Sequence, residues 1–542
     1  MSVVVALILA FASMKPDAAL DRLLANENRA VSPGCALDVR RQGLVIAQRA
    51  VGLANLENGT PITQDTVFEA GSVSKQFIGA GIALLHMQGR LSLEDSVRRW
   101  LPELPDHYAP ITLRMMLNHS SGIKSWNNLA ELTGRGEDES GYDNNRIVSV
   151  IARQSGLNST PGTEYLYSNS NYVLGAKVIE RVSGQELNAF FRTVLFHRFG
   201  MTRTAWRTDF RAVIADRAQA YSPAEGRNWR LDVPLNGVVG AGGLMTTVGD
   251  LQRWNAVLEN PEQADRAWTE LLTEQGKLLD GTRLRYGLGL ELDALSGKTA
   301  ITHAGSTGAY RAWLGRVPDD GLSVALLCND GSLNTEDLGP AITSLYMTTV
   351  PNAPNMENAA PLLPVAGLAG RYRNLLYDAA VDVTVEHGQA RFNAGVVFIA
   401  IGPEQLVTLD RARSARLKRN AQGSVQSISL SRQGNTPVPL TREVDWAPDE
   451  RELAKFTGRF RSADLEGEHR FGLVDGQLRW INPAGEVQPI TPIYRDTFAA
   501  PQTSWTLRFT RGPDGRVSGL DASITRARRI HYSIVRSDRR IE

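Results

Sequence analysis

The sequence predicts an α/β (α+β) sandwich with an antiparallel sheet and a helical lobe, followed by two small antiparallel β-barrels. Three observations predict it. Strand-like runs stand at both ends of residues 17–350 around a helical middle, a proline-rich stretch follows, and short β-rich runs beyond it carry a weak internal repeat. A chain of 542 residues is long enough for several cores. Its 42% hydrophobic and 22% charged residues, with 49 Gly and 25 Pro, are those of an ordinary globular protein and exclude collagen-like, coiled-coil and disordered classes.

Residues 1–16 form an expected signal or N-terminal extension. Val3–Ala12 is an apolar run too short to span a bilayer, and Ala10 and Ala12 suit a cleavage site, although a basic n-region is missing. Export to the periplasm or medium is the favoured expectation; a start at Met14 and a cytoplasmic protein is the alternative. Ala36–Arg40 and Gly43–Gly52 read as two strands of a hairpin. After Phe68–Ser72 a helix is expected, because Val73, Phe77, Ile78, Ile82 and Leu85 recur at helical spacing until Gly89 ends it. Helical signals run from Leu93 to about Arg203, broken by the polar loop 133–141, and strands return at Tyr286–Glu291, Ala312–Val317 and Leu322–Cys328 before a helix near Leu338–Tyr346.

The stretch 351–365 carries four prolines and no periodicity, and reads as a linker. Beyond it Gly370-Arg-Tyr-Arg373 corresponds to Gly458-Arg-Phe-Arg461, and His387–Phe392 to Asp475–Trp480. In both copies a second glycine lies 18 residues after the first (370 to 388, 458 to 476). Two similar domains, 366–445 and 446–542, each long enough for an up-and-down barrel of about eight strands, are therefore expected. The two cysteines, Cys35 and Cys328, sit in apolar runs and read as buried free thiols rather than a disulfide.

Three motifs carry chemistry. Ser72-Val-Ser-Lys75 opens the first apolar helix, and its i,i+3 spacing stacks hydroxyl and ammonium on one face. A serine hydroxyl needs a neighbouring base, and a desolvated lysine can supply one. Alone the motif is weak: a helix-capping serine with a surface lysine has the same letters, and Ser121-Gly-Ile-Lys124 also matches, though Gly122 disfavours a helix there. Tyr167-Ser-Asn169, in a turn-rich loop before a helix, places a phenol and an amide on one side of an extended segment. His303-Ala-Gly305-Ser306 precedes a strand, with small residues that let a substrate backbone approach an edge and a Ser306 amide able to donate to an oxyanion. Each has a bland packing explanation. In this order, 95 and 136 residues apart (72 to 167 to 303), they are far more specific.

With these motifs the chain resembles the penicillin-binding-protein-like serine hydrolases: class C β-lactamases, D-alanyl-D-alanine carboxypeptidases, β-lactamase-fold esterases and D-aminopeptidases. Ile111–Gly122, Asn169–Gly175 and Gly240–Leu251 add to the likeness, which covers about residues 20–350. It implies Ser72 as acylated nucleophile, Lys75 as general base or relay, and Tyr167 as donor to the leaving amine. Asn169 would orient Lys75 and substrate, and the Ser72 and Ser306 amides would form the oxyanion hole beside Gly305. His303 stands where most β-lactamases carry the lysine of K-T-G, so a permanent anchor for a substrate carboxylate is lost, which disfavours penicillins.

A hydrolase domain with two barrels, lipocalin-like in outline, is similar to D-aminopeptidases and to the bacterial serine peptidases that open linearised microcystins. That implies a serine peptidase or amidase of short peptides containing D-amino acids. A carboxylesterase of the same fold is the alternative; a β-lactamase or a non-catalytic sensor fits less well. Arg311 is a candidate clamp for a peptide carboxylate. The barrels are expected to narrow the site to short substrates. The missing G-x-S-x-G elbow speaks against an α/β-hydrolase, and no cofactor or metal is expected, since H-E-x-x-H, a zinc-binding cysteine pair and nucleotide-binding loops are missing. With 59 Lys+Arg against 58 Asp+Glu, nucleic acid is not an expected partner, nor is integral membrane association, leaving a small peptide or ester and a homodimer open.

Overall fold

A computed structural model describes residues 15–24, 31–134, 136, 141–260, 264–348, 365, 367–393, 395–408, 413–432, 436–481, 485–500 and 503–535. The expected signal segment before Lys15 and the linker up to residue 364 lie outside the described residues. The chain divides into two compact units: 1–121, 141–148 and 169–354 in the first, 122–140, 149–168 and 355–542 in the second.

The first unit is built on six antiparallel strands: β1 (Cys35–Arg41), β2 (Leu44–Val51), β3 (Glu291–Leu295), β4 (Lys298–Thr307), β5 (Tyr310–Val317) and β6 (Leu322–Cys328). Their order is β3-β4-β5-β6-β1-β2, so the expected N-terminal hairpin joins strands from the far end of the domain. Every residue of β6 is buried, which explains its unbroken apolar text: alternate side chains enter cores on opposite faces. On one face Leu322, Val324 and Leu326 pack with Leu20 of α1 (Pro16–Leu23) and Ile342 of the helix Thr335–Tyr346. Against the sheet also lies Val248–Glu259, whose Gln252 amide donates to the Asp38 and Ser323 carbonyls at 2.6 and 3.3 Å.

The helix expected after Ser72 is present as α2 (Lys75–Met87), entered through a 3₁₀ turn over Gly71–Ser74. Its partner α3 (Asn169–Ser183) approaches so closely that a Cβ on Gly175 would lie 2.9 Å from Ile78, and one on Gly81 3.0 Å from Ile179. No helix among the described residues is long and apolar enough to cross a membrane.

Two sequence expectations are corrected here. Cys35 and Cys328 are not free thiols: they are directly opposed in the β1–β6 register and form a disulfide, S–S 2.09 Å. Both strands were legible as apolar, but their pairing across 293 residues was not. Tyr286–Leu290 is not a strand either; only an isolated bridge joins Tyr286 to Glu291, where β3 begins. Its glycines instead permit contact. A Cβ on Gly289, at φ 91°, would meet the Lys75 carbonyl oxygen at 2.5 Å.

The second unit contains both barrels. Eight strands from Gly370–Asn374 to Val438–Arg442 close on themselves, the first pairing with the last. Nine strands from Gly458–Arg461 to Ala527–Ile534 form a second, nearly closed sheet, whose two edges, Val487–Pro489 and Thr491–Tyr494, are separated in the chain by Ile490 alone. The repeat read in the sequence is a repeat of backbone geometry. Gly370 and Gly458 have φ 145° and 146°, and the hairpin turns His387-Gly388 and Asp475-Gly476 have φ pairs of 50° and 75°, and 52° and 70°. Two successive positive φ values are what a tight type I′ hairpin needs. Tyr372 and Phe460, equivalent in the two copies, are both fully buried.

The unit also takes in two segments that the sequence placed inside the hydrolase domain. The helix Trp126–Leu132 ends on the second barrel, where the Leu132 carbonyl accepts from His469 Nε2 at 2.9 Å and the Tyr532 hydroxyl at 2.8 Å. The Trp505 indole donates to Glu131 at 3.2 Å, and the Gln154 amide to the Asp464 carbonyl at 3.0 Å.

Candidate active site

Ser72 lies in the 3₁₀ turn and Lys75 opens α2, so one turn of backbone sets their relation. The Lys75 ammonium donates to Ser72 Oγ at 2.9 Å and to the Ala241 carbonyl at 2.8 Å, and it stands 5.6 Å above the Tyr172 ring. Lys75 is fully buried. Ala241 belongs to the glycine-rich run Gly240–Gly243, where Gly240 and Gly243 have φ 106° and 80°. That run is pinned from below: the Gly243 amide donates to Glu69 at 3.1 Å, and Glu69 holds the buried Arg207 at 2.9 Å. A buried ion pair with further hydrogen bonds is costly to break at one partner, which suits a part that must not move.

The strand β4 passes beside this turn. Its pairing with β3 ends at Thr302, so Gly305–Thr307 extend past the end of β3. Glycine is required on both sides of the contact: a Cβ on Gly305 would sit 2.1 Å from the Ala70 carbonyl oxygen, and one on Gly71, at φ 50°, 2.6 Å from the Ser306 nitrogen. The structure therefore brings Ser72, Lys75, Gly305 and Ser306 together.

His303 is on the same strand, 2% exposed, with both ring nitrogens engaged. Nδ1 lies 2.6 Å from the Ala304 carbonyl and Nε2 2.8 Å from the Tyr286 hydroxyl. A carbonyl can only accept, so Nδ1 carries the proton and Nε2 accepts from the phenol. Burial first, and then the charge of Lys75, lower its pKa to about 3 against the Ala304 hydrogen bond. The ring is neutral.

Asn169 is the first residue of α3. Tyr167 belongs to the second unit, where the Arg526 guanidinium carbon lies 4.7 Å from its ring centre. The Arg311 guanidinium donates to the Gly308 and Tyr310 carbonyls of the adjacent turn at 2.6 and 2.9 Å and to the Gly331 carbonyl at 2.9 Å, using three of its five N–H groups. The second S-x-x-K is not a helix, and its Ser121 hydroxyl donates to Asn171 at 2.7 Å.

Three contributors escaped the sequence reading: Ala241, Tyr172 and Tyr286. Ala241 acts through its backbone, which leaves no side-chain signal. Tyr172 and Tyr286 stand in the runs Asn169–Gly175 and Tyr286–Glu291, quoted in the sequence but without a role for the phenols.

A partly exposed serine beside a buried lysine at a helix entrance, next to a strand that runs past the end of its neighbour β3, defines the class: a serine hydrolase of the penicillin-binding-protein fold. The beta-lactamase family model matches residues 19–343, and the chain belongs to that family. Along nearly its whole length the chain is also similar to the D-aminopeptidase of Gluconobacter oxydans, 25% identical over 96% of this chain and 99% of that one. Among solved structures it is similar to the octameric penicillin-binding protein homologue from Pyrococcus abyssi, TM-score 0.55 and 20% identity over 79% of this chain and 99% of that chain. The D-amino acid amidase from Ochrobactrum anthropi SV3 aligns with TM-score 0.51 and 22% identity over 61% and 98%.

Proposed function

We propose that the protein hydrolyses short peptides or amides containing D-amino acids through an acyl-enzyme on Ser72. The observation that carries this reading is the 2.9 Å contact between Nζ of the fully buried Lys75 and Oγ of the partly exposed Ser72. The similarity to a D-aminopeptidase over 96% of the chain, barrels included, supports the D-configured substrate.

In acylation Ser72 Oγ bonds to the substrate carbonyl carbon while its proton passes to Lys75 in the free-amine form. Negative charge grows on the carbonyl oxygen, where the Ser72 and Ser306 amides would meet it. The carbon–nitrogen bond then breaks, and Tyr167 gives its proton to the leaving amine and is resupplied from Lys75. Water takes the amine's place, and the same groups run the sequence back to free enzyme and acid. Asn169 would hold Lys75 and the substrate amide. His303 supports β4 through its neutral ring and offers no charge to a substrate carboxylate. Arg311, committed to three carbonyls, has no part in this reading.

The test is hydrolysis of D- and L-alanyl amides, a short peptide with internal D-Ala, p-nitrophenyl esters and a penicillin. Cleavage of the D-containing amides in preference to the L-amides and the penicillin, falling at least about a thousandfold in Ser72→Ala, is expected. Turnover confined to esters would contradict the reading, and so would undiminished activity in Ser72→Ala.

A further inference from the structure

We propose that Arg526, at the tip of a hairpin of the second barrel, is a positioning residue for proton transfer by Tyr167. The inference rests on the role proposed above for Tyr167. The hairpin joins strands Val517–Ile524 and Ala527–Ile534, and its tip is held from several sides. The Arg526 carbonyl accepts from the Ser125 amide and from Asn158 Nδ2, each at 2.9 Å. Asn158 Oδ1 accepts in turn from the Arg528 amide at 2.8 Å. Arg528 then makes two bonds of 2.8 Å to the Glu164 carboxylate, with the side chains 5% and 11% exposed. Asn158, Glu164 and Tyr167 belong to one loop, which the hairpin therefore grips at three successive places.

The grip does not depend on Arg526's own side chain. A doubly hydrogen-bonded buried ion pair and the Asn158 bonds hold the hairpin, and a single contact between a half-exposed guanidinium and a ring adds little beside them. What the guanidinium does supply is a fixed positive charge over the ring face, 4.7 Å from its centre. When Tyr167 gives its proton to the leaving nitrogen, a phenoxide remains until Lys75 reprotonates it, and a cation already in place stabilises that charge without reorganisation.

The requirement falls on poor leaving groups. An amide nitrogen must be protonated to depart, whereas p-nitrophenolate leaves unprotonated. Arg526→Ala should therefore lower kcat for a D-alanyl amide about tenfold with KM within twofold, while the burst of p-nitrophenolate from an ester of the same acyl group changes less than twofold. Arg526→Lys should recover part of the loss, and Arg526→Met, which keeps the stem, should not. Thermal unfolding midpoints close to wild type establish that the variants are folded. Tyr167→Phe is the control: it must show the same amide-selective loss, and Ser72→Ala must be inactive. If both controls behave so and Arg526→Ala turns over amides like wild type, or loses amide and ester equally, the proposal for Arg526 fails alone. An active Ser72→Ala or an unaffected Tyr167→Phe would overturn the underlying reading, and this proposal with it.

Discussion

At position 303 the side chain is set by its neighbours rather than by its own titration. Burial and Lys75 hold the His303 pKa to about 3, so the ring stays neutral from pH 5 to 8. Its Cε1 proton resonance, assigned by comparison with His303→Gln, is expected to stay constant across that range. The sign for stability follows from the lowered value: between about pH 6.5 and 3 the unfolded chain binds a proton that the folded ring refuses, so this group's contribution, complete above 6.5, is lost as pH falls. The Tyr286 hydroxyl is the ring's second partner, at 2.8 Å. Tyr286→Phe leaves a buried nitrogen unsatisfied and should cost about 1–3 kcal/mol, read from denaturant unfolding, and lower kcat through the displaced strand.

Among the elements, the contact between β4 and the nucleophile turn tolerates no added atoms. Gly305→Ala places a carbon 2.1 Å from the Ala70 carbonyl, a backbone atom that cannot rotate away. The variant is expected to lose most activity and about 1–3 kcal/mol or more of stability, checked by kinetics and urea unfolding on the same preparation. The same contact shows why the sequence was only partly readable. The helix after Ser72 was legible because Phe77, Ile78, Ile82 and Leu85 all face cores and are fully buried. The strand carrying His303 was not, since Ala304, Gly305 and Ser306 have little β preference and are selected for close approach. Tyr286–Leu290 misled in the opposite sense: its alternation imitates a strand, but Gly287 and Gly289 are there because the Leu272 and Lys75 carbonyls lie 2.4 and 2.5 Å from where their side chains would start. The repeat glycines were legible because each hairpin needs the same positive φ.

For the whole molecule, the Cys35–Cys328 bridge ties β1 to β6 across 293 residues. Thiol titration of the unreduced, denatured protein should find no free thiol, and Cys328→Ser should lose about 2–5 kcal/mol of unfolding free energy. In the second unit burial lowers the His469 pKa to about 4, against the Leu132 carbonyl bond, so stability there also falls as pH drops from about 6.5 towards 4. Removing the barrels by truncation after residue 352 is a poor test of their role, because Leu132, Asn158 and Glu164 would lose partners on the second barrel. Point variants in the intact chain are cleaner. The central claim is an acyl-enzyme on Ser72 formed from a D-configured substrate, and single-turnover acid quench followed by peptide mass mapping tests it most directly. A D-alanyl amide should add one alanyl group to the peptide containing Ser72, with none from the L-isomer and none in Ser72→Ala. Turnover of the D-amide that persists in Ser72→Ala, or an acyl group on another residue, would contradict it.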